Sequence, residues 1–292
     1  MSKTRVAVIG AGALANVMHY PSLVEFDDVE IVGICDLMPD KLTATADKFG
    51  IAHRYSDYKQ MITEQDPQGV YVLMPPQHLY EPAAFALKAG KSVFIEKPPA
   101  LTLTQLKNLK KKADQSGALT MVGFNRRFTP LVVECRRRLL ERGPIELAAV
   151  TFYKNYFAGE YYDGVVDILT CDAIHALDLV RHLCGGEVAH VASSVRETGG
   201  EDYPNSWQAL MQFDNGSTGL LLAHWTAGKR FHHAELHAKG MSAYTEFEVN
   251  AKIWADGGAE PIADLDAKEF TGPTPTASTR ASATTRTGLP RP

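Results

Sequence analysis

The sequence of 292 residues lacks the features of several common protein classes. Its four cysteines are widely spaced and form no Cys-x-x-Cys pair, which argues against a disulfide framework and a zinc site and is typical of a reduced protein. No apolar run approaches the ~18 residues of a membrane helix, and residues 1–5 are polar rather than a secretory signal. The net charge of -4 provides no basic excess for nucleic acid or anionic membranes. We therefore expect a cytoplasmic protein without nucleic-acid or membrane partners.

The first 123 residues alternate between short apolar strands and helices. Hydrophobic residues make up 45% of the chain, enough for one large core or two medium ones. Strands are predicted at 5–9, 30–35, 69–74, 92–95 and 119–123, with helices at 13–26, 39–49 and 82–89 and another capped at Thr102. Such alternation predicts a parallel sheet that is covered by helices on both faces.

Beyond residue 124 the pattern becomes mostly strands. Two helices are predicted, at about 130–141 and 167–183, around a long strand at 145–157. Strand-like segments follow at 188–197, 207–213, 217–226, 232–239 and 244–254. Consecutive strands joined by tight turns, such as Asp214-Asn215-Gly216, indicate antiparallel pairing, so we predict an α+β domain over residues 124–270.

The last segment, residues 271–292, differs from both domains. It contains no acidic residue, and Leu289 is its only large aliphatic side chain. A segment of this composition cannot bury enough apolar surface to offset the entropy that ordering removes. We interpret it as a disordered or aberrant tail.

A dinucleotide fingerprint follows the first predicted strand, in Gly10-Ala11-Gly12-Ala13-Leu14-Ala15. Glycines here permit a tight turn and a close approach to pyrophosphate at a helix N-terminus, and Asp36 ends the second strand, where an acid binds the adenosine ribose. The alternative is a plain glycine turn beside a surface aspartate. We predict an N-terminal Rossmann domain over residues 1–123, with Gly10, Gly12, Ala13, Leu14 and Asp36 at the cofactor. Because a carboxylate repels a 2′-phosphate and no arginine adjoins Asp36, NAD is favoured over NADP.

A later strand ends in Glu96-Lys97-Pro98. Open α/β sheets bind ligands at the carboxyl ends of their strands, which places Lys97 toward the nicotinamide end of the crevice. There a lysine stabilises alkoxide character on a substrate oxygen. The tripeptide by itself is more typical of a loop lysine in a surface ion pair with Glu96.

The surrounding motifs resemble the glucose-fructose oxidoreductase/inositol dehydrogenase (Gfo/Idh/MocA) family. They are Gly10 to Ala15, Tyr71 to His78, Ala89-Gly90-Lys91, Glu96 to Leu101, Gly123 to Phe128 and His175 to Asp178. The resemblance implies an open-faced, largely antiparallel sheet after the Rossmann domain. It implies an NAD(P)-dependent dehydrogenase or reductase that acts on a hydroxyl or carbonyl of a sugar, cyclitol or related polyol. It also implies a cofactor site that includes Met74, Pro75, His78, Glu96 and Lys97.

The predicted helix at 167–183 carries Asp172, His175 and Asp178 at three-residue spacing. Positions i and i+3 share a helix face, and histidine suits proton transfer near neutral pH when a carboxylate orients it. Spacing alone favours a polar stripe with a satisfied histidine, but the resemblance implies a catalytic His175, with Asp172 as its partner and Lys97 opposite. Many family members place the acid four residues before the histidine, where this chain has Cys171. Asp178 is expected to be structural.

Other groups leave alternatives open. His233 and His237 share a strand face with Glu235, but no further ligands are evident and we predict no metal. Arg126 and Arg127 either touch substrate or form surface ion pairs. Uncovered residues such as Leu220, Leu222 and Trp225, or their neighbours, predict a homodimer or homotetramer formed sheet to sheet through residues 188–254. The competing functions are a non-catalytic dinucleotide-binding regulator and a truncated, inactive member of the family.

Overall fold

The computed structural model describes residues 2–271, and the chain divides after Gly123 into two compact units. The first unit contains a six-stranded parallel sheet in the order β3-β2-β1-β4-β5-β6. Its strands are β1 (Thr4–Ile9), β2 (Val29–Cys35), β3 (Arg54–Tyr55), β4 (Gly69–Val72), β5 (Ser92–Ile95) and β6 (Thr120–Val122). Its α-helices are α1 (Tyr20–Glu25), α2 (Pro39–Phe49), α3 (Tyr58–Gln65), α4 (Tyr80–Lys88) and α5 (Leu103–Ser116). The strand order reverses between β1 and β4, and ligands of such sheets bind outside the carboxyl ends of the strands at that reversal.

Both faces of the central strand β1 are buried, as expected for a parallel sheet. Ala7 and Ile9 belong to one hydrophobic cluster, while Val8 belongs to another on the opposite face. Since successive side chains of a strand point to opposite faces, an uninterrupted apolar run is what two layers of helices require. The predicted parallel α/β class of this unit is confirmed.

Two features of the first unit differ from the sequence prediction. Strand β3 and helix α3 were not predicted, because α3 is largely polar and buries only Met61 and Ile62. The helix predicted at 13–26 is present over residues 13–25, but it is not regular, because Ala15–His19 form a π-helical turn before α1.

The second unit contains an eight-stranded sheet in the order β14-β13-β12-β11-β7-β10-β9-β8. Its strands are β7 (Leu147–Asn155), β8 (Val188–Arg196), β9 (Ser206–Phe213), β10 (Thr218–His224), β11 (Thr226–Ala238), β12 (Met241–Glu246), β13 (Asn250–Ala255) and β14 (Ala263–Asp266). Its α-helices are α6 (Pro130–Leu140), α7 (Ile174–Cys184) and α8 (Ala267–Thr271). β7 pairs with β10 in parallel and with β11 antiparallel, so the sheet is mixed and mostly antiparallel. The predicted α+β class is confirmed.

The end of the second unit differs from prediction. The single strand predicted at 244–254 is the hairpin β12–β13, which turns at Phe247 to Val249 without glycine or proline to signal it. Strand β14 and helix α8 were not predicted at all.

One face of this sheet is covered by α6 and α7, and alternation decides which side chains lie there. Leu221, Ala223 and Trp225 are buried in the core on the helix side, whereas Leu220 and Leu222 point to the other face and are half-buried. The prediction that Trp225 joins Leu220 and Leu222 on the uncovered face is wrong, because the strand period of two places Trp225 with Leu221.

The predicted tail lies outside the described residues, apart from Thr271, which ends α8. Within residues 2–271, no helix has both the length and the hydropathy needed to cross a membrane.

Candidate active-site residues

The glycine turn after β1 has one crowded and one open glycine. Gly10 has a φ of 112°, and a Cβ built on it would lie 2.2 Å from the carbonyl oxygen of Leu73, so only glycine is tolerated. A Cβ on Gly12 would meet no atom of the chain within 4 Å. Gly12 therefore faces open space at the start of a helix, which is the cradle that a pyrophosphate requires.

Side chains from the following helix hold this turn. The buried Tyr20 hydroxyl donates to the carbonyl oxygen of Gly10 at 2.9 Å. The Asn16 amide donates to the carbonyl oxygens of Ala11 at 3.0 Å and Gly12 at 3.1 Å. The turn is thus fixed before any ligand binds, while Ala13 and Leu14 beyond it are exposed.

Asp36 lies at the carboxyl end of β2 beside this turn. Its Oδ2 accepts a hydrogen bond from the backbone N–H of Ala11 at 2.7 Å, and its Oδ1 accepts one from Met38 at 2.8 Å. Each carboxylate oxygen has a second lone pair, so the group retains acceptor sites for the two hydroxyls of a ribose. Together with the open Gly12, the geometry fits a dinucleotide.

The ends of β4 and β5 place the remaining predicted cofactor residues. After β4, Met74 is half-buried, while Pro75 and His78 are exposed. After β5, the Glu96 carboxylate bonds to His19 Nε2 at 2.8 Å and accepts the backbone N–H of Lys97 at 3.1 Å. The carboxylate thus holds both His19 and the Lys97 backbone, which fixes the start of the loop that carries Lys97.

In the second unit, Asp172 lies in a π-helical turn, Leu169–Ala173, directly before α7. Such wide turns interrupt helices mostly at functional sites, and this one departs from the regular helix predicted at 167–183. The Asp172 carboxylate pairs with the Lys154 ammonium, and its Oδ2 accepts a hydrogen bond from the Tyr161 hydroxyl at 2.8 Å. Both partners stabilise the ionised carboxylate.

His175 stands in the first turn of α7, and only 9% of its surface is exposed. The ring of Phe124 packs edge-on to it, with the centroids 6.4 Å apart. His232, a buried imidazole, lies close enough to interact electrostatically with His175. Its ring stacks on that of Phe152, with the centroids 4.2 Å apart. Burial, followed by the charges of Arg126 and His175, lowers the pKa of His232, which therefore stays neutral beside the helix.

The structure separates the two arginines that the sequence left undecided. Arg127 binds the buried Asp178 through two nitrogens, with Nε to Oδ2 at 2.7 Å, and this hydrogen bonding raises the pKa of Arg127. Asp178 therefore has the structural role expected of it. Arg126 contacts only Glu248 among the ion pairs of residues 2–271, at 3.3 Å.

The histidines of β11 are held by neighbours in the sheet. His237 Nε2 bonds to Glu235 at 2.7 Å and its Nδ1 to Ser242 at 2.7 Å. No cluster of three or more His, Cys, Asp or Glu side chains in residues 2–271 is arranged to hold a metal ion.

Two family models match the chain. Residues 4–124 match the oxidoreductase family with an NAD-binding Rossmann fold, and residues 165–244 match the GFO/IDH/MocA C-terminal domain. The chain belongs to this family. Its first unit is an NAD-binding Rossmann fold, as the fingerprint and Asp36 predicted.

Two of the similar proteins are named as dehydrogenases of a glucoside and of an inositol. A D-glucoside 3-dehydrogenase of Escherichia coli is 35% identical over 127 residues, covering 44% of this chain and 36% of the relative. A scyllo-inositol 2-dehydrogenase (NAD(+)) of Bacillus subtilis is 27% identical over 229 residues, covering 74% and 66%. The chain thus spans less than two thirds of the length of these relatives.

Solved structures share the fold of this Gfo/Idh/MocA member. A dehydrogenase from Chromobacterium violaceum has a TM-score of 0.86 at 23% identity, covering 97% of this chain and 85% of that one. A levoglucosan dehydrogenase in complex with NADH and levoglucosan has a TM-score of 0.82 at 21% identity, covering 96% and 87%. At these identities the likeness establishes the fold alone.

Sequence reasoning missed the residues that hold the proposed site. His19, Asn16 and Tyr20 carry no motif of their own. Lys154 did carry a signal, because it shares the parity of the buried Phe152 on β7, and a lysine at an inward-facing strand position needs a partner. That partner is Asp172.

Proposed function

We propose that this chain is an NAD-dependent dehydrogenase that transfers hydride between nicotinamide and a CH–OH or carbonyl group of a sugar, cyclitol or related polyol. The observation that supports the proposal is a buried histidine, His175, one helix turn from an Asp172 carboxylate held by Lys154, in a chain whose first unit is an NAD-binding fold. The names of its relatives, which act on glucosides and inositols, support this substrate class.

The roles of the residues follow from their chemistry. Bound NAD supplies the hydride acceptor. His175 takes the proton of the reacting hydroxyl, and Lys97 stabilises the alkoxide character that develops on its oxygen. Asp172, held ionised by Lys154 and Tyr161, favours the positive charge that His175 acquires. The same groups serve carbonyl reduction in reverse.

The cofactor contacts are assigned in the same way. Gly10, Gly12, Ala13 and Leu14 form the turn around the pyrophosphate, and Asp36 binds the ribose hydroxyls and disfavours NADP. Met74, Pro75, His78, Glu96 and Lys97 complete the cofactor site at the ends of β4 and β5.

A panel of sugars and cyclitols tests this function. Full-length protein is mixed with NAD and each compound, and NADH formation is followed by absorbance, with Lys97→Ala as the matched inactive variant. We expect NADH with at least one compound and none with the variant. If no compound yields NADH, or if Lys97→Ala is as fast as the unaltered chain, the proposal is wrong.

We further propose that the protein is cytoplasmic and forms a homodimer or homotetramer. None of the four cysteines forms a disulfide and all four are buried, which suits a reducing compartment. Leu220, Leu222 and Leu210 are adjacent on the sheet face opposite α6 and α7, and an uncovered apolar face of this kind usually marks an interface. Light scattering checks the assembly: a monomer at micromolar concentration, or a Leu222→Arg variant with unchanged mass, contradicts the predicted interface.

A further inference from the structure

Two cationic side chains contact the ring of Phe152 in the second unit, and the charge of a third acts on the imidazole that stacks on that ring. Lys154 Nζ lies 5.4 Å from its centroid, and Arg230 Cζ lies 5.7 Å from the same centroid. Arg126 is near enough that its charge and that of Arg230 both act on His232, which stacks on Phe152. These contacts define an Arg126/Lys154/Arg230 cation cluster.

The carboxylates of residues 2–271 do not neutralise this cluster. Lys154 pairs with Asp172 and Arg126 with Glu248. Arg230 takes part in no ion pair with any of residues 2–271. The three cations of the cluster are therefore matched by only two carboxylates, which leaves one positive charge in excess. An excess of positive charge among neighbouring cations favours the binding of an anion.

Arg126 has hydrogen-bonding capacity to spare. Its side chain is 18% exposed, and its buried Nε has no hydrogen-bond partner among residues 2–271. The pKa of Arg126 is lowered by burial; Glu248 opposes this effect, and the positive charge of Arg230 adds to it. Its partner Glu248 is 3.3 Å away with a side chain 53% exposed, so an incoming anion can displace it. A planar guanidinium with free donors matches the geometry of carboxylates and phosphates.

We propose that the substrate carries an anionic group, a carboxylate or a phosphate, and that Arg126 and Arg230 bind it. The inference rests on the function proposed above and narrows its substrate class to acidic sugars or cyclitols. Lys154, which lies on the same Phe152 ring as Arg230, pairs with Asp172 in the turn directly before the helix of His175. The anion site therefore adjoins the helix that carries His175, and one small substrate can present its acid to the arginines and its hydroxyl to the histidine.

Matched neutral and acidic ligands test the proposal. Binding of D-glucose, D-glucuronate, D-glucose 6-phosphate and inorganic phosphate to the NADH-loaded full-length protein is measured by calorimetry and thermal shift, and turnover with NAD is measured in parallel. We expect an acidic sugar to bind about 10- to 100-fold more tightly than glucose, as charged hydrogen bonds typically provide. The glucuronate and phosphate arms decide which anion is preferred, and added salt should weaken only the acidic ligands.

The variants separate the anion site from general charge effects. Arg126→Gln and Arg230→Gln should each remove about tenfold or more of the acidic preference and leave glucose unchanged. Glu248→Gln should strengthen acid binding, because it removes the competing carboxylate. Lys229→Gln removes the same charge one residue away, where the lysine packs on Phe231, and should have no effect.

The possible failures are distinguishable. The anion site is overturned if glucose is bound or oxidised as well as its acidic counterparts. It is also overturned if no anion stabilises the unaltered protein more than it stabilises the Arg126→Gln variant. In both cases the dehydrogenase function can stand. Acid binding that depends on Arg126, with no NADH from any compound, supports the anion site and contradicts the proposed function.

Discussion

The two units hold the groups of the proposed site in different ways. In the first unit the site is built from backbone at the ends of adjacent parallel strands, with the Gly12 turn open to ligand and Asp36 tied to the Ala11 N–H. In the second unit it is built from side chains, with Asp172 held by Lys154 of β7 and by Tyr161 of a loop. Backbone sites leave local motifs in a sequence, whereas side-chain sites depend on residues far apart in the chain.

This difference between backbone and side-chain sites also determines whether a substitution changes stability, ligand binding or both. A backbone cradle is part of the fold, so a change to it risks both folding and binding. A side-chain network sits on a completed core, and its members can be altered one at a time. Substitutions at the two sites should therefore fail in different ways.

The largest effect is expected at His175 of the second unit. His175→Ala removes the proposed proton acceptor, and such groups typically contribute ~100- to 10,000-fold in rate. The NAD affinity measured by calorimetry should stay within about twofold of that of the unaltered chain. The reason is that the residues proposed to bind NAD all lie in the first unit, whereas His175 lies in the second. Turnover above about a tenth of the unaltered rate shows that His175 is not the proton acceptor.

Alanine substitutions at Gly10 and Gly12 of the first unit should have opposite effects on stability and on NAD affinity. Gly12→Ala adds a methyl group that meets no protein atom, so the free energy of unfolding should barely change, whereas NAD affinity should fall as the methyl group blocks the pyrophosphate. Gly10→Ala forces alanine to a φ of 112° and against Leu73 O, with a backbone cost of about 1–3 kcal/mol before the clash is counted.

Urea unfolding and NADH fluorescence titration measure the two glycine effects on the same samples. Normal NADH binding by Gly12→Ala, or full stability of Gly10→Ala, removes the distinction between the open and the crowded glycine. Gly117→Ala, in the turn after α5, provides a control for the strain of a positive φ, here 64°, away from the cofactor.

Asp36 should control the choice between NAD and NADP. Asp36→Ala should narrow the preference for NAD by about tenfold, since a charged hydrogen bond contributes about 1.5–3 kcal/mol. Asp36→Asn is the matched variant, because it keeps an acceptor for the Ala11 N–H and loses the charge that repels a 2′-phosphate. Titration with both cofactors decides the point, and an unaltered chain that binds NADP as tightly as NAD refutes the assignment.

The sequence predicted the backbone site of the first unit better than the side-chain site of the second. The fingerprint, Asp36 and the parallel sheet were predictable because such a sheet needs uninterrupted apolar strands and a glycine turn, whereas the order of its strands was not predicted. The fixing of Asp172 was not, since Lys154 and Asp172 meet only after β7 and α7 pack on each other. The hairpin at 247–249 was missed because its turn lacks glycine and proline. Trp225 was misplaced because the alternation along β10 was not extended to the residue that follows this strand.

A substitution at Tyr161 should have a smaller effect on the side chains that hold Asp172. Burial and the nearby Asp172 charge raise the pKa of Tyr161, so its hydroxyl remains a donor at neutral pH. Tyr161→Phe removes that donor while Lys154 keeps its ion pair, and the loss of about 1 kcal/mol predicts a several-fold lower kcat. KM should not change. Tyr156→Phe, which preserves the ring stacked on Tyr161 at 5.2 Å, is the control and should retain full kcat.

The smallest effect concerns the acid stability of the second unit. Burial, with the charges of Arg136 and Arg127, lowers the pKa of His182 from 6.5 to about 4. Because the folded pKa lies below the unfolded one, the unfolded chain binds more protons between these values. The contribution of His182 is complete above pH 6.5 and is lost as the pH falls toward 4.

Tryptophan fluorescence can report this effect selectively, because the three tryptophans, Trp207, Trp225 and Trp254, all lie in the second unit. We expect the urea midpoint of that signal to fall between pH 6.5 and 4, and to fall less steeply in His182→Gln, which cannot take up the proton. The slopes are compared rather than the midpoints, since the substitution also alters packing. Parallel slopes for the two proteins would show that protonation of His182 is not coupled to unfolding, and that the acid sensitivity of this unit arises elsewhere, with the buried His232 the next group to substitute.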